Sequence, residues 1–234
     1  MICGLQKMTL LDYPGKIACT VFLGGCNFRC PFCHNSGLFM GTPEKIMEEE
    51  AFFSFLQTRQ GLLDGVCVSG GEPTLYPHLP DFLARIKNLG FWVKLDTNGS
   101  RPDIVQKLAA ENLVDYFAMD VKNSPAMYAR TVGLEALDLM PIEESLRFFI
   151  GGNVNYELRT TLVSPLHDEA SIRDMGQWLA SVSPGRKAKK LFLQCFVDRD
   201  TVLFSGLSAP EPEATRQFAK ILAPFVNEVA IRNP

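Results

Sequence analysis

Residues 17–35 read IACTVFLGGCNFRCPFCHN. The first seven, Ile17–Leu23, make an apolar run of strand length, rich enough in Val, Ile and Phe to be covered on both faces. Gly24 and Gly25 permit a tight entry into a loop that carries Cys26, Cys30 and Cys33 within eight positions. A doubly covered strand that feeds a chemically loaded loop is how a parallel α/β sheet begins, and in such sheets ligands gather at the carboxyl ends of the strands.

The same unit recurs downstream. Gly65–Ser69, Trp92–Asp96, Tyr116–Asp120, Glu157–Val163 and Leu191–Phe196 read as further buried strands. Helical patterns separate them at Thr42–Arg59, Leu79–Asn88, Pro102–Asn112, Ile142–Phe149 and Asp168–Val182. Thr42-Pro43 has the form of an N-cap and first helical position, and Asn88-Leu89-Gly90 and Gly151-Gly152 the form of helix stops. A final helix, Glu211–Phe225, leads into a short strand, Glu228–Arg232. Alternation of this kind implies right-handed crossovers and parallel strands. Six units are too few for an eight-stranded closed barrel, so the expected fold is α/β, an open partial (β/α)6 barrel. No linker divides the chain. The expectation is one domain over 1–234, with an N-terminal extension at 1–16, the partial barrel at 17–200 and a C-terminal helix and strand at 201–234.

Composition narrows the classes of partner. The 234 residues are 47% hydrophobic with a formal net charge of −3, which argues against a broad electrostatic footprint for nucleic acid. No run approaches the roughly 20 apolar residues that span a bilayer. The opening MICGLQKMTLLDYPGK lacks the apolar block of a signal peptide. A cytoplasmic location is expected, where seven cysteines are thiols or metal ligands before they are disulfides.

Spacing alone leaves several readings of the cysteine loop open. Three thiolates can hold a 4Fe–4S cluster that normally takes four, leaving one iron open for a ligand. Cys30-Pro31-Phe32-Cys33-His34 also fits the pattern of c-type haem attachment, and Cys-x-x-Cys that of a redox pair. Zinc on three cysteines and His34 is a fourth reading. Haem attachment and a redox pair leave Cys26 without a purpose. His34 adjoins Cys33 and is poorly placed to reach the same zinc ion. The cluster is favoured. Cys3, Cys19, Cys67 and Cys195 are scattered and read as small apolar residues.

CxxxCxxC at the end of a first strand resembles the signature of the radical S-adenosylmethionine (SAM) superfamily. CNFRCPFCHN resembles its glycyl-radical-enzyme activases. The stretch GLQKMTLLDYPGKIACTVFLGGCNFRC, residues 4–30, is similar to the activating proteins of anaerobic ribonucleoside-triphosphate reductases. The resemblance continues in order through SGGEP at 69–73, DTNG at 96–99, MDVK at 119–122 and, more loosely, Arg159.

Each segment also has a reading of its own. Gly70-Gly71 lets backbone approach a ligand where a side chain would clash, although a Gly-Gly-Glu-Pro string by itself is more often a turn with a solvated acid. Asp96 and Asp120 close neighbouring strands, and two acids in one mouth repel unless a cation or Lys122 stands between them. Either alone could be a helix N-cap. Arg159 lies mid-strand, where a charge needs a partner. The resemblance implies that Gly70, Gly71 and Glu72 hold the SAM amino group. It implies a monovalent cation on Asp96, Thr97 and Asp120, with Lys122 and Arg159 near the SAM. It also places adenine against Phe32, Cys33 and His34.

By the same resemblance the chain is an enzyme that cleaves SAM reductively at the cluster, with flavodoxin or ferredoxin as electron donor. The 5′-deoxyadenosyl radical so formed would take hydrogen from a glycine of a partner glycyl radical enzyme. An anaerobic ribonucleoside-triphosphate reductase is the expected partner. Two departures bear on this: Gln194-Cys195-Phe196-Val197 stands where pyruvate formate-lyase activases carry a His, and no second cysteine group follows the first. A pyruvate formate-lyase-type activase, a radical SAM enzyme with a small-molecule substrate such as a deazapurine synthase, and a non-catalytic zinc or electron-carrier module are the alternatives.

Overall fold

A computed structural model describes residues 1–38, 44–202 and 204–232. Its strands form an eight-stranded sheet in chain order, β1 to β8, so the order has two ends. By contacts the chain divides into two compact units.

The first unit comprises residues 1–27, 35–97 and 103–118. It holds β1 (Ile2–Thr9), β2 (Ala18–Leu23), α1 (Glu49–Gln57), β3 (Gly65–Gly70), α2 (Leu79–Asn88), β4 (Trp92–Thr97), nearly all of α3 (Pro102–Ala110) and the start of β5 (Tyr116–Asp120). β2 runs parallel to β3 from Ala18↔Gly65 to Leu23↔Gly70, and β3 parallel to β4 from Gly65↔Trp92 to Val68↔Leu95. Val66, Cys67, Val68, Val93 and Leu95 are fully buried, as strands covered on both faces must be. Helix α2 shows what covers them. Leu79, Phe82, Leu83 and Ile86 fall on one buried stripe, while Asp81, Arg85 and Lys87 keep to the other faces. Phe82 stacks on Phe52 of α1 with ring centres 5.4 Å apart. Burying each such side chain contributes about 1.5–3 kcal/mol. Gly90, at φ +88°, closes the helix in a conformation other residues resist.

The second unit comprises residues 28–34, 98–102 and 119–234. It holds the end of β5, α4 (Pro125–Thr131), α5 (Met140–Gly151), β6 (Tyr156–Leu162), α6 (Glu169–Val182), β7 (Ala188–Cys195), α7 (Pro212–Leu222) and β8 (Val226–Arg232). β6, β7 and β8 are parallel neighbours. α6 starts where the sequence places it, because Asp168 accepts from the Ser171 N–H at 2.8 Å while Ser171 Oγ accepts from the Asp168 N–H at 3.0 Å. That reciprocal cap satisfies two donors left over at the helix start.

The α/β architecture and its parallel strands match the expectation, with three differences. The supposed N-terminal extension supplies β1, antiparallel to β2 from Ile2↔Leu23 to Thr9↔Ala18. Its polar, half-exposed face hides it from any search for apolar runs. The first helix begins at Glu49, because residues 44–48 are drawn to the β1 edge: the Ile46 N–H donates to the Ile2 carbonyl, and Met47 bridges to Ile2. The Thr42-Pro43 cap lies outside the described residues. The third difference is α4, a seven-residue helix announced only by Ser124-Pro125.

Candidate functional site

The β2 exit and the β3 exit are laid backbone against backbone. The Gly71 N–H donates to the Leu23 carbonyl at 2.9 Å, and the Glu72 N–H to the Gly25 carbonyl at 2.8 Å. A Cβ on Gly70 would stand 2.2 Å from the Leu23 oxygen, and one on Gly71 2.1 Å from the Gly25 oxygen. The close approach these glycines permit is therefore to the chain's own segment leading into Cys26. Asn35 donates to the Gly70 carbonyl at 3.3 Å and fixes the same corner from the far side of the loop.

Glu72 is 2% exposed. It is not the solvated acid of a bare turn. Its Oε1 accepts from the Thr74 N–H at 3.1 Å, from the Thr74 hydroxyl, and from the Thr97 hydroxyl at 2.9 Å. Glu72 and Thr97, far apart in sequence, are thus brought together. Bonds to a carboxylate are stronger than neutral ones, which is what allows the charge to stay buried. Next along β4, Asp96 accepts from the Ser69 hydroxyl at 2.9 Å and forms an ion pair with Lys94. Lys94 is 1% exposed and also reaches the Cys67 sulfur at 3.8 Å.

In the second unit, the Cys33 N–H donates to the Cys30 carbonyl at 3.1 Å, closing a tight turn. Arg29 pins the loop to the end of α4: its N–H donates to the Val132 carbonyl at 2.8 Å, and its own carbonyl oxygen would lie 2.2 Å from a Cβ on Gly133. Phe32 is buried. His34 stacks on Phe196 at 5.6 Å, and its Nε2 lies 2.6 Å from the Val197 carbonyl. A carbonyl only accepts, so Nε2 carries the proton. Asp120 receives Lys122 Nζ and Arg159 Nε, both at 2.9 Å. Burial opposes ionisation of Asp120, but Arg159 and Lys122 outweigh it and hold the carboxyl well below the usual carboxylate range. Burial likewise opposes the Lys122 charge, yet Asp120 and then the Cys30 thiol raise its affinity for the proton.

The cysteines suit an iron–sulfur cluster. Cys26, Cys30 and Cys33 take part in no disulfide among the described residues, and Cys26 and Cys33 are partly exposed. Cys19 and Cys67 are sealed in the core, and burial pushes the Cys19 thiol up to about 12, so it is a packing residue. Among the described residues no three His, Cys, Asp or Glu side chains converge on one point as a single metal ion requires.

Sequence reasoning missed Lys94, Ser69, Thr74 and Phe196. Lys94 had a signal: it is the charged residue in the strand WVKLDT, two positions before Asp96 and hence on the same face. Phe196 lies in the 194–197 stretch noted for its lack of a His, but its stack on His34, 162 positions away, had no sequence signal. Among the described residues no helix is long and apolar enough to cross a membrane.

A family model described as the radical SAM superfamily matches residues 20–149. The chain is 32% identical over 241 residues to a Methanocaldococcus jannaschii protein whose name puts it forward as a glycyl-radical enzyme activating enzyme, covering 99% of this chain and 95% of that one. It is 36% identical over 105 residues to the pyruvate formate-lyase-activating enzyme of Clostridium pasteurianum, 42% of this chain and 43% of that protein. Streptococcus suis SuiB bound to S-adenosylmethionine shares the fold with a TM-score of 0.67 at 12% identity, over 92% of this chain. The chain spans about half of SuiB, 52% of its length.

Proposed function

The chain belongs to the radical SAM superfamily, and from that premise we propose that it is a glycyl-radical-enzyme activase. The observation that carries the reading is the full-length likeness to the M. jannaschii protein, which covers 99% of this chain and 95% of that one. Membership of the superfamily implies a 4Fe–4S cluster and SAM. Bound together, these supply a one-electron reductive cleavage that yields methionine and a 5′-deoxyadenosyl radical.

The residues of this chain have the following roles in the proposal. Cys26, Cys30 and Cys33 hold the cluster and leave one iron open. Gly70, Gly71 and the buried Glu72 face the SAM amino group, with Glu72 kept anionic by the donors that already surround it. Asp96 and Thr97 close the carboxylate side. Asp120 holds Lys122 and Arg159 as oriented cations for the SAM carboxylate and ribose. Phe32, Cys33 and His34 line the adenine side, where the stack of His34 on Phe196 gives the ring a fixed orientation. Flavodoxin or ferredoxin is proposed as electron donor, and the cytoplasm as the location.

For the partner we propose an anaerobic ribonucleoside-triphosphate reductase. Support comes from residues 4–35 and from the lack of further clustered cysteines in the sequence. The test mixes reduced protein, SAM and candidate partners without oxygen and looks for a glycyl doublet by electron paramagnetic resonance. A doublet on the reductase is the expected result. A doublet on pyruvate formate-lyase alone corrects the partner. SAM cleavage with no doublet on any glycyl radical enzyme of the same organism points to a small-molecule substrate.

A further inference from the structure

We propose that Lys94 is a built-in counter-ion that replaces a monovalent metal ion at Asp96, so that this chain binds SAM without K⁺ or Na⁺. The SAM half of this statement rests on the function proposed above.

The family resemblance leads one to expect a small cation on Asp96, Thr97 and Asp120, and the partners each of these residues has within its own unit do not suit it. Asp96 is already paired with the Lys94 ammonium through one oxygen, while the other accepts from Ser69 at 2.9 Å. The Thr97 hydroxyl is turned to Glu72 at 2.9 Å. Within its own unit, Asp120 is matched to two cations, Lys122 and Arg159, each at 2.9 Å. Each carboxylate therefore has a protein-borne positive charge at hydrogen-bond distance.

Lys94 cannot withdraw to make room. It sits within β4 and is 1% exposed, flanked by the fully buried Val93 and Leu95. An ammonium in that setting must keep its carboxylate, since leaving either charge alone in the interior is strongly unfavourable. The strand repeat of two puts Lys94 and Asp96 on the same face, so the pairing is built into the backbone. A metal ion arriving at Asp96 would face the Lys94 charge at short range in a poorly solvated place. The ammonium can fill the same electrostatic role, neutralising Asp96 so that an anionic group can approach.

The experiment measures the SAM dissociation constant of the reconstituted protein in potassium chloride and in tetramethylammonium chloride at equal ionic strength. The wild-type constant should agree within twofold. Lys94→Met should bind SAM at least tenfold more weakly in tetramethylammonium and recover in K⁺ or Na⁺, as the vacated position accepts a metal ion. A wild-type constant that rises tenfold when K⁺ and Na⁺ are withdrawn overturns the proposal, as does Lys94→Met binding that matches the wild type in tetramethylammonium. Thermal unfolding of the wild-type chain without cluster or SAM gives an independent reading. Equal midpoints in the two salts are expected, and a midpoint raised by K⁺ over tetramethylammonium overturns the proposal. Should wild-type protein bind no SAM in either salt, the proposed function falls, and the unfolding comparison still decides the role of Lys94.

Discussion

The Glu72 N–H donates to the Gly25 carbonyl at 2.8 Å, which ties the end of β3 to the segment that carries Cys26. Gly71 makes this possible, because a side chain there would stand 2.1 Å from the Gly25 oxygen and 3.2 Å from the Cys26 Cβ. Gly71→Ala is therefore expected to displace the loop, lowering stability by about 1–3 kcal/mol, as overpacking does, and reducing iron incorporation. Gly37→Ala has open space around the added methyl and serves as the control. Denaturant unfolding and iron content check both. Unchanged iron content in Gly71→Ala would separate the tie from the cysteine loop.

Glu72→Gln keeps the acceptor oxygen and removes the charge. Its stability should fall by only about 1 kcal/mol, the difference between charged and neutral hydrogen bonds. SAM affinity of the reconstituted variant should fall about tenfold, or about 1.4 kcal/mol. Calorimetric titration beside a urea curve distinguishes the outcomes. A large stability loss with unchanged affinity would return Glu72 to a purely capping role.

His167 predicts a pH dependence. It is 4% exposed, its Nδ1 accepts from the Val163 N–H at 3.1 Å, and its Nε2 donates to the Lys122 carbonyl at 2.9 Å. Burial lowers its proton affinity in the fold, outweighing the backbone carbonyls and Asp168 that favour the charged form. The unfolded chain, with His near pH 6.5, then binds more protons in mild acid than the native one. Stability is fully present above about pH 6.5 and declines as pH falls from there toward the lower native value. Asp120, held far lower, adds no slope in that window. Urea unfolding at pH 7.5 and 5.5 should show this loss, and His167→Gln should diminish it. Equal slopes for the two proteins would exclude His167 as the cause.

Asp168→Ala removes the side-chain half of the α6 cap and should cost about 1 kcal/mol, within the usual range for N-cap acids. Asp168→Asn retains the acceptor and should lose much less. Comparable losses in both variants would show that charge rather than the cap matters there.

How much of this was legible in the sequence depended on the period of the signal. The buried parallel strands are continuous apolar runs, so β2 to β7 were placed within a few residues. β1 alternates with polar residues and packs Gly4 against Phe22, a relation no local window contains. The acids and glycines of the site were named from their motifs, but what each touches was not. Gly70 and Gly71 meet their own chain, Glu72 meets Thr97, and Arg159 pairs with Asp120. Such partnerships join segments tens of residues apart. Lys94 is the instructive omission, since the strand repeat of two puts it on the same face as Asp96.

The central claim is that three cysteines hold a cluster with an open iron at which SAM is cleaved. The most direct measurement is the amount of 5′-deoxyadenosine formed per chain by anaerobically reconstituted, dithionite-reduced protein given SAM. The account predicts formation by the wild type and by Cys3→Ala, Cys67→Ala and Cys195→Ala, and none by Cys26→Ala, Cys30→Ala or Cys33→Ala. Absence of 5′-deoxyadenosine from the wild type, or its undiminished formation by any of those last three variants, would contradict it.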